Sequence, residues 1–419
     1  MKVLPAFQWL TAAVLLLSLP ACQKKPEVKI ASAEPTSFEA VTNHLDAGGN
    51  AYLYLSTDAI CNAVSGKLAT LGPELIASGK LDDASKAKAT AAWSSFSKIV
   101  ANSGIKEISG FGTSSIALAP SYYQIKWVTH HYPDKSSGWI WKLHGSTPNA
   151  LDFTAYLPER TAAASSGNLK LTPIWEALNQ EAAVNADLRQ GLDTISKSFE
   201  SATGLNFASI LASLGPNYSF LVTLDESRPT PLPINPSAPP VSLPEPGLAI
   251  FIQVQDDVLI NRIDTELSKN PMVTKTDGPD LKIRTLAMPL PVAFLRPTVA
   301  WKKGLLMIST NDQLLRDMLD VKAGKKPGFA ATNAEFKKLM TGLPTTGCSF
   351  GYVSPLFQKT VTAINQAQLE GNKITDPTAK KFLQFLYQSI PTKAVCHVVE
   401  ETPEGWISTS HQEMVPSGK

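Results

Sequence analysis

The stretch Leu343-Pro344-Thr345-Thr346-Gly347-Cys348-Ser349-Phe350-Gly351-Tyr352-Val353-Ser354-Pro355 decides the fold, because it reads as a turn, a strand and a helix start, and because the chain repeats it. Aromatic and aliphatic residues favour a strand over 348–353. Ser354 stands where a hydroxyl caps the first turn of a helix, and Pro355 where a missing amide costs nothing. A second opening is Leu45-Asp46-Ala47-Gly48-Gly49 leading into Ala51 to Ser56, and a third is Leu157-Pro158-Glu159-Arg160-Thr161 leading into Ala162 to Asn168. Registering Gly49 on Gly347 superposes Tyr52 on Phe350, Tyr54 on Tyr352, Leu55 on Val353 and Ser56 on Ser354. Ser56 and Thr172 are expected to cap as Ser354 does, with Pro173 matching Pro355.

Each opening is expected to lead through helices to a strand meander. Leu188, Leu192, Ile195 and Phe199 recur with helical spacing, as do Trp93, Phe96 and Val100, and Phe382, Phe385 and Leu386. Strands are expected at Ile108 to Ala119, Tyr218 to Leu224 and Ala394 to Val399. A further one is expected at Gly138-Trp139-Ile140, Gly304-Leu305-Leu306 and Gly405-Trp406-Ile407. The fold class is therefore α+β, with repeated strand-helix-helix-strand-meander units and largely antiparallel sheets packed against helices. Unit 1 spans 41–156, unit 2 spans 157–342, and unit 3 spans 343–419. Unit 2 holds the insertion 226–247, in which eight of 22 residues are proline, so it reads as an exposed extended loop. Beyond it come a strand at Leu248 to Val254, a helix at Asp257 to Leu267 capped by Asp256, strands near Leu281 to Ala287 and Thr298 to Ser309, and a helix at Gln313 to Leu319.

Composition narrows the function. At 43% hydrophobic residues the 419-residue chain has the apolar material of a globular body, and its net charge of +2 supplies no field to gather nucleic acid. Residues 1–21 read as a signal peptide: a basic start at Lys2, an apolar middle around Val14 to Leu17, and a small residue at the exit. Leu19-Pro20-Ala21-Cys22 resembles the bacterial lipobox. That resemblance implies cleavage before Cys22, acylation of its thiol, and a flexible tether over 22–40. Gln23 in place of Asp favours the outer membrane, facing the periplasm, over the inner membrane. Acyl chains at about 0.8 kcal/mol per buried methylene would hold the protein without a spanning helix, and no other window approaches 18 apolar residues.

Gly304 to Asn311, followed by Leu314, Leu315, Met318, Gly324, Phe336 and Leu343-Pro344, resembles a bacterial secreted family known as domain of unknown function 3352. Gly204-Leu205-Asn206-Phe207 fits that family's opening, with Asn206 replacing its usual Asp. The resemblance spans about residues 150 to 400. It implies export and an α+β fold, and brings no catalytic residues with it.

Motifs for chemistry are sparse. None of the histidines His44, His130, His131, His144, His397 and His411 has zinc-site spacing, and the neighbours His130 and His131 point to opposite faces of a strand, reading as a solvated hairpin tip. Ser114-Ser115 after Gly110-Phe111-Gly112 lacks the lysine of a phosphate loop. Asp256-Asp257 reads as a helix start. Cys348 and Cys396 lie in apparent strands of one unit and are a candidate disulfide in an oxidising compartment; the other reading makes them small buried hydrophobes. Tyr123, Trp127, Trp139 and Trp141 read as one aromatic face of a hairpin, either core or the candidate binding surface. No cofactor and no metal are expected. The expectation is a membrane-anchored envelope lipoprotein, non-enzymatic, acting as a structural or interaction module, with a carrier or sensor of an apolar ligand or lipid as the alternative. Its partners would be the membrane, through the anchor, and an envelope protein or apolar ligand, without nucleic acid.

Overall fold

Alternating small, aromatic and branched residues give the chain its strands, and antiparallel pairing joins them into one sheet. The computed structural model describes residues 36–144, 147–233, 240–287, 294–371, 378, 381 and 392–415, and every statement below concerns these. Within the unit Ser37–Lys419, α1 (Phe38–Thr42) precedes β1 (Ala51–Ser56), the helices α2 (Asp58–Ser78) and α3 (Asp83–Ala101), and the hairpin β2 (Ile108–Ala119) and β3 (Tyr122–His131). Next come β4 (Thr161–Asn168), α4 (Thr172–Ala182), α5 (Ala186–Thr203), α6 (Phe207–Ser213), and the hairpin β5 (Leu214–Leu232) and β6 (Val241–Val254). Then follow α7 (Val258–Ser268), the meander β7 (Val273–Asp277), β8 (Lys282–Leu286), β9 (Thr298–Lys302) and β10 (Leu305–Ser309), and α8 (Asp312–Lys322), α9 (Phe329–Thr332) and α10 (Ala334–Met340). The last elements are β11 (Ser349–Val353), α11 (Pro355–Gly371), and the hairpin β12 (Thr392–Thr402) and β13 (Gly405–Met414).

The 13 strands run in the order β1-β2-β3-β13-β12-β11-β4-β5-β6-β10-β9-β8-β7. Mixed α and β structure on a large antiparallel sheet is thus the architecture. Strand register sorts side chains to two faces. Phe350 opposes Val398 and Ser166, Leu221 opposes Ala164 and Ala249, and Met307 opposes Phe251 and Ala300. This face is roofed by α8, α9, α10 and a 3-10 segment at Ala150–Tyr156, which bury Leu315, Met318, Phe329 and Leu339 against it. On the other face α7 packs Ile260 onto Trp301 and Leu306, and the start of α11 packs Leu356 and Phe357 onto Ala163 and Val222.

Several expectations need correction. Gly138-Trp139-Ile140 is not a strand: Trp139–Lys142 is a 3-10 turn. Glu107 accepts from the Gly138 amide, the Ile140 amide donates to the Ser103 oxygen, and a Cβ on Gly138 would fall 2.2 Å from the Gly104 Cα, so this segment is pinned down over 103–107. Ser354 does cap α11, accepting from the Phe357 amide. Ser56 instead ends β1, and Thr57 takes the cap position of α2 while its hydroxyl donates to the Ile108 oxygen. Thr172 is the first residue of α4, with no side-chain cap. Asp256 is not the cap of α7: the helix begins at Val258 with Asp257 in the cap position, and Asp256, one residue earlier, accepts from the Val258 amide.

Much of the proline-rich insertion is paired as well. Pro229 opposes Pro244, Pro231 opposes Ser242, and Leu232 opposes Val241, making the insertion a two-stranded arm. Pro229 and Pro231 share one parity and Pro244 and Pro246 another, so their missing amides can face the arm's outer edges, where no ladder bond is lost. Residues 234–239 at its end, the expected helix around Phe382, Phe385 and Leu386, the signal peptide and Cys22 all lie outside the described residues.

Candidate binding groove

The helices α2 and α3, which leave Ile60, Val64 and Phe96 exposed, form an apolar concavity. The short link Gly79 to Asp82 folds α3 back beside α2, with Asp82 accepting from the Ser85 amide as N-cap. Between them runs a groove of about 540 Å³ lined by Ile60, Val64, Ile76, Trp93, Phe96 and Val100. Val64 is 51% exposed and Phe96 50% exposed, large fractions for side chains of this kind. Trp93 and Phe96 pack at 5.5 Å between ring centroids. The tryptophan can lie so close to α2 only because residue 72 is glycine, where a Cβ would sit 1.9 Å from its Cε2 atom.

Electrostatically the groove is plain. Its lining includes Lys98 and Lys106 but no His, Asp or Glu, and Lys98 reaches Glu181 at 3.4 Å. The Cys61 thiol also lines it and donates weakly to the Ile105 oxygen at 3.7 Å. The aliphatic and aromatic lining suits the groove to apolar contact.

The aromatic set expected as one face divides in two. Tyr123 and Trp127 do share a face of β3, and Trp127 packs on Phe111 at 5.3 Å while keeping 39% of its surface exposed. Trp139 and Trp141, on the 3-10 turn, lie elsewhere. Trp141 sits between His131 at 4.0 Å and Trp406 at 4.8 Å, and its Nε1 donates to Glu107 at 2.6 Å. Trp139 Nε1 donates to the Ile99 oxygen at 3.4 Å. These two indoles serve internal packing.

His130 and His131 are not a solvated tip but are both buried. His130 Nδ1 shares a hydrogen with Ser109 Oγ at 2.7 Å, and burial depresses its pKa despite the carboxylate of Glu404 nearby. Among the described residues no three His, Cys, Asp or Glu side chains gather as a metal site would require.

Cys348 and Cys396 do not pair. Cys396 opposes Tyr352, whereas the Cys348 amide bonds the Val399 oxygen, so they lie four residues apart along the ladder. Four residues of strand span about 13 Å, beyond the roughly 7 Å limit for bridged Cα atoms. Both thiols are buried; burial, with Glu401 adding to it, pushes Cys348 up to about 11, and burial pushes Cys396 up as well. They are inert small hydrophobes, the other reading of these positions.

Two further surfaces stand out. On the open sheet face Phe220, Ile250 and Ile308 sit in register across β5, β6 and β10, each 37–39% exposed. At the base of the proline arm a cleft of about 580 Å³ holds Asp225 between Arg160 and Arg228. Burial raises the Asp225 pKa, but hydrogen bonds from Ser227 and Arg228 and the charge of Arg160 outweigh it and hold the carboxyl at about 2.

No protein-family model, characterised protein or solved structure matches the chain. Sequence reading took Trp93, Phe96 and Val100 for one buried stripe and passed over their partners Ile60, Val64 and Ile76. The usable signal was the lack of a polar face on α2, where apolar residues occur on every side.

Proposed function

We propose that this protein is a lipid-anchored bacterial envelope protein that acts by binding and carries an apolar chain, such as a fatty acyl group, in the groove between α2 and α3. The groove carries this reading: about 540 Å³, lined by half-exposed aliphatic and aromatic side chains, falls within the usual range for small-ligand sites. Lys98 and Lys106 at its rim suit an anionic head group. Acyl chains on Cys22, after cleavage of residues 1–21, would hold the body at the membrane that supplies such ligands. No described helix is long and apolar enough to cross a membrane. The resemblance read from the sequence over about residues 150 to 400 would imply export as well.

Native mass spectrometry of the Cys22→Ala protein purified from its host tests the reading. A bound lipid of defined mass, lost in Val64→Asp and Phe96→Asp, is expected; a clean mass sinks it. The anchor has its own test, since Cys22→Ala should abolish labelling by radioactive palmitate.

A second reading, a structural or interaction module without a carried ligand, is favoured by the exposed row Phe220, Ile250 and Ile308. Under either reading the segments 41–156, 157–342 and 343–419 are proposed as copies of one ancestral unit. In support, β1, β4 and β11 each open a run of helix and hairpin, and Tyr54 and Tyr352, matched in the sequence register, point to the same face of the sheet.

A further inference from the structure

Where β4 and β5 reach the end of their ladder, Asn168 stands opposite Asn217, and Asn149 approaches from the loop before the 3-10 segment. These three carboxamides line one cavity of about 330 Å³ together with Gln253 and Thr147. The Oδ1 atom of each is sealed from solvent and has no hydrogen-bond partner among the described residues. Asn168 is the most telling, being 1% exposed. Its Nδ2 donates to the Thr147 carbonyl oxygen at 2.5 Å, an atom that can only accept, so its orientation is fixed and its own oxygen is left without a donor. Asn217 Nδ2 donates to Gln253 Oε1 at 2.6 Å. Buried acceptors are nearly always satisfied. Three that lack a donor from the described residues gather around one cavity, and a ligand that donates would satisfy them.

The surroundings select the class of donor. A cation is opposed by Lys170, which lines the same cavity. An anion would meet three carbonyl dipoles by their negative ends. A neutral ligand rich in hydroxyls meets neither objection, because each hydroxyl donates to an amide oxygen and can accept from the lysine at the rim. A smaller space of about 160 Å³, which shares Asn149, Asn217 and Gln253, adds the carboxylate of Asp152, which can accept from a hydroxyl, the mutually bonded hydroxyls of Ser166 and Ser219, and the rings of Phe153 and Tyr156. Carboxamides beside hydroxyls and aromatic rings match the alternation of O–H groups and apolar C–H faces on a sugar.

We propose that the cavity framed by Asn149, Asn168 and Asn217 is a binding site for a neutral saccharide. It is separate from the apolar groove and stands whether or not that groove carries a lipid. One protein would then hold a sugar between β4 and β5 while its acyl chains sit in the membrane.

Isothermal titration of the full-length Cys22→Ala protein with maltotriose and with chitotriose tests this, with choline as a cationic control. Binding of at least one trisaccharide is expected, weakened about tenfold or more by Asn168→Leu, which removes the best-buried acceptor. Asn217→Asp, which keeps an acceptor in place, should change it less than about threefold. Should Asn168→Leu fail to fold, as its melting curve would reveal, Asn149→Ala at a half-buried position carries the same expectation. The proposal falls if neither trisaccharide binds at about 10 mM, if binding ignores the loss of the acceptors, or if choline binds instead with the same dependence on Asn168. A crystal structure showing only ordered water on the three oxygens at that sugar concentration would overturn it too.

Discussion

On one face of the sheet Phe350, Tyr352, Leu221 and Met307 are sealed from water, whereas on the other face of the same array Phe220, Ile250 and Ile308 each keep more than a third of their surface exposed. Phe220 and Leu221 are neighbours in β5, so strand propensity cannot explain the contrast. Coverage does. The connections before β4 and between β10 and β11 supply the 3-10 segment, α8, α9 and α10 to the first face, and their amphipathic sides close it. The second face is covered at separate places by α7 and the start of α11. Stability is therefore concentrated on one side, and the other is free to be used for binding.

Truncation on either side should expose this division most strongly. Phe350→Ala opens a cavity among Phe336, Val398 and Tyr352, and is expected to cost about 3–5 kcal/mol in urea unfolding. Phe220→Ala removes a side chain already 39% in water and should cost about 1–2 kcal/mol. Equal losses would mean that the open face is covered in solution, and the comparison would fail.

A smaller effect probes the one strong polar anchor beside the open face. Arg284 is 4% exposed, lies over Trp301 at 5.0 Å, and donates to Asp264 at 2.7 Å and to Asp277 at 2.5 Å. Asp264→Ala leaves a buried guanidinium with the half-exposed Asp277 as its remaining ion-pair partner, besides the Ile283 oxygen. A loss of roughly 2 kcal/mol is expected, below the usual cost of orphaning a buried charge because Asp277 remains. Arg284→Met, filling the same space without charge, should cost less than Asp264→Ala, and the reverse order would refute this account.

Acid should separate the faces more gently. Burial lowers the pKa of His411 on the closed face, where its Nδ1 donates to the Leu339 oxygen, and of His397 on the open one. A histidine with a depressed folded pKa binds its proton more readily when unfolded, so stability is full above about pH 6.5 and falls as the pH drops below it. His130 adds to the same trend. Thermal midpoints measured from pH 7.5 to 5 should decline, and His411→Gln should flatten the decline; an unchanged slope would show that His411 is not held neutral.

Regularities of one strand or one helix were legible in the sequence, and pairings between distant segments were not. The openings at residues 51, 161 and 349 form strands because local pattern and turn chemistry agree there. Trp139 was misplaced because the hydrogen bonds that pin its turn come from Glu107 and Ser103, more than thirty residues away. The proline arm pairs because both of its outer edges are free, which depends on where β4 and β10 end. Cys396 lies in β12 as expected but Cys348 falls just before β11, and only the register reveals a separation of four residues. The apolar groove left a faint trace in the even distribution of apolar residues around α2, while the asparagine cluster left none, since the β4–β5 ladder joins Asn168 to Asn217 and a bridge to Gly347 brings in Asn149.

The smallest expected effect is the sharpest test of the open face. Ile250 lies in register between Phe220 and Ile308, and its side chain is 39% exposed. If nothing covers the row, Ile250→Thr keeps the branched strand geometry, removes little buried area, and should change unfolding free energy by no more than about 0.5 kcal/mol. The same substitution interrupts the exposed row Phe220, Ile250 and Ile308, so any self-association of the protein through it should weaken, which sedimentation velocity would measure. A stable protein whose association is unaffected would move the binding role away from this face and leave it with the groove between α2 and α3.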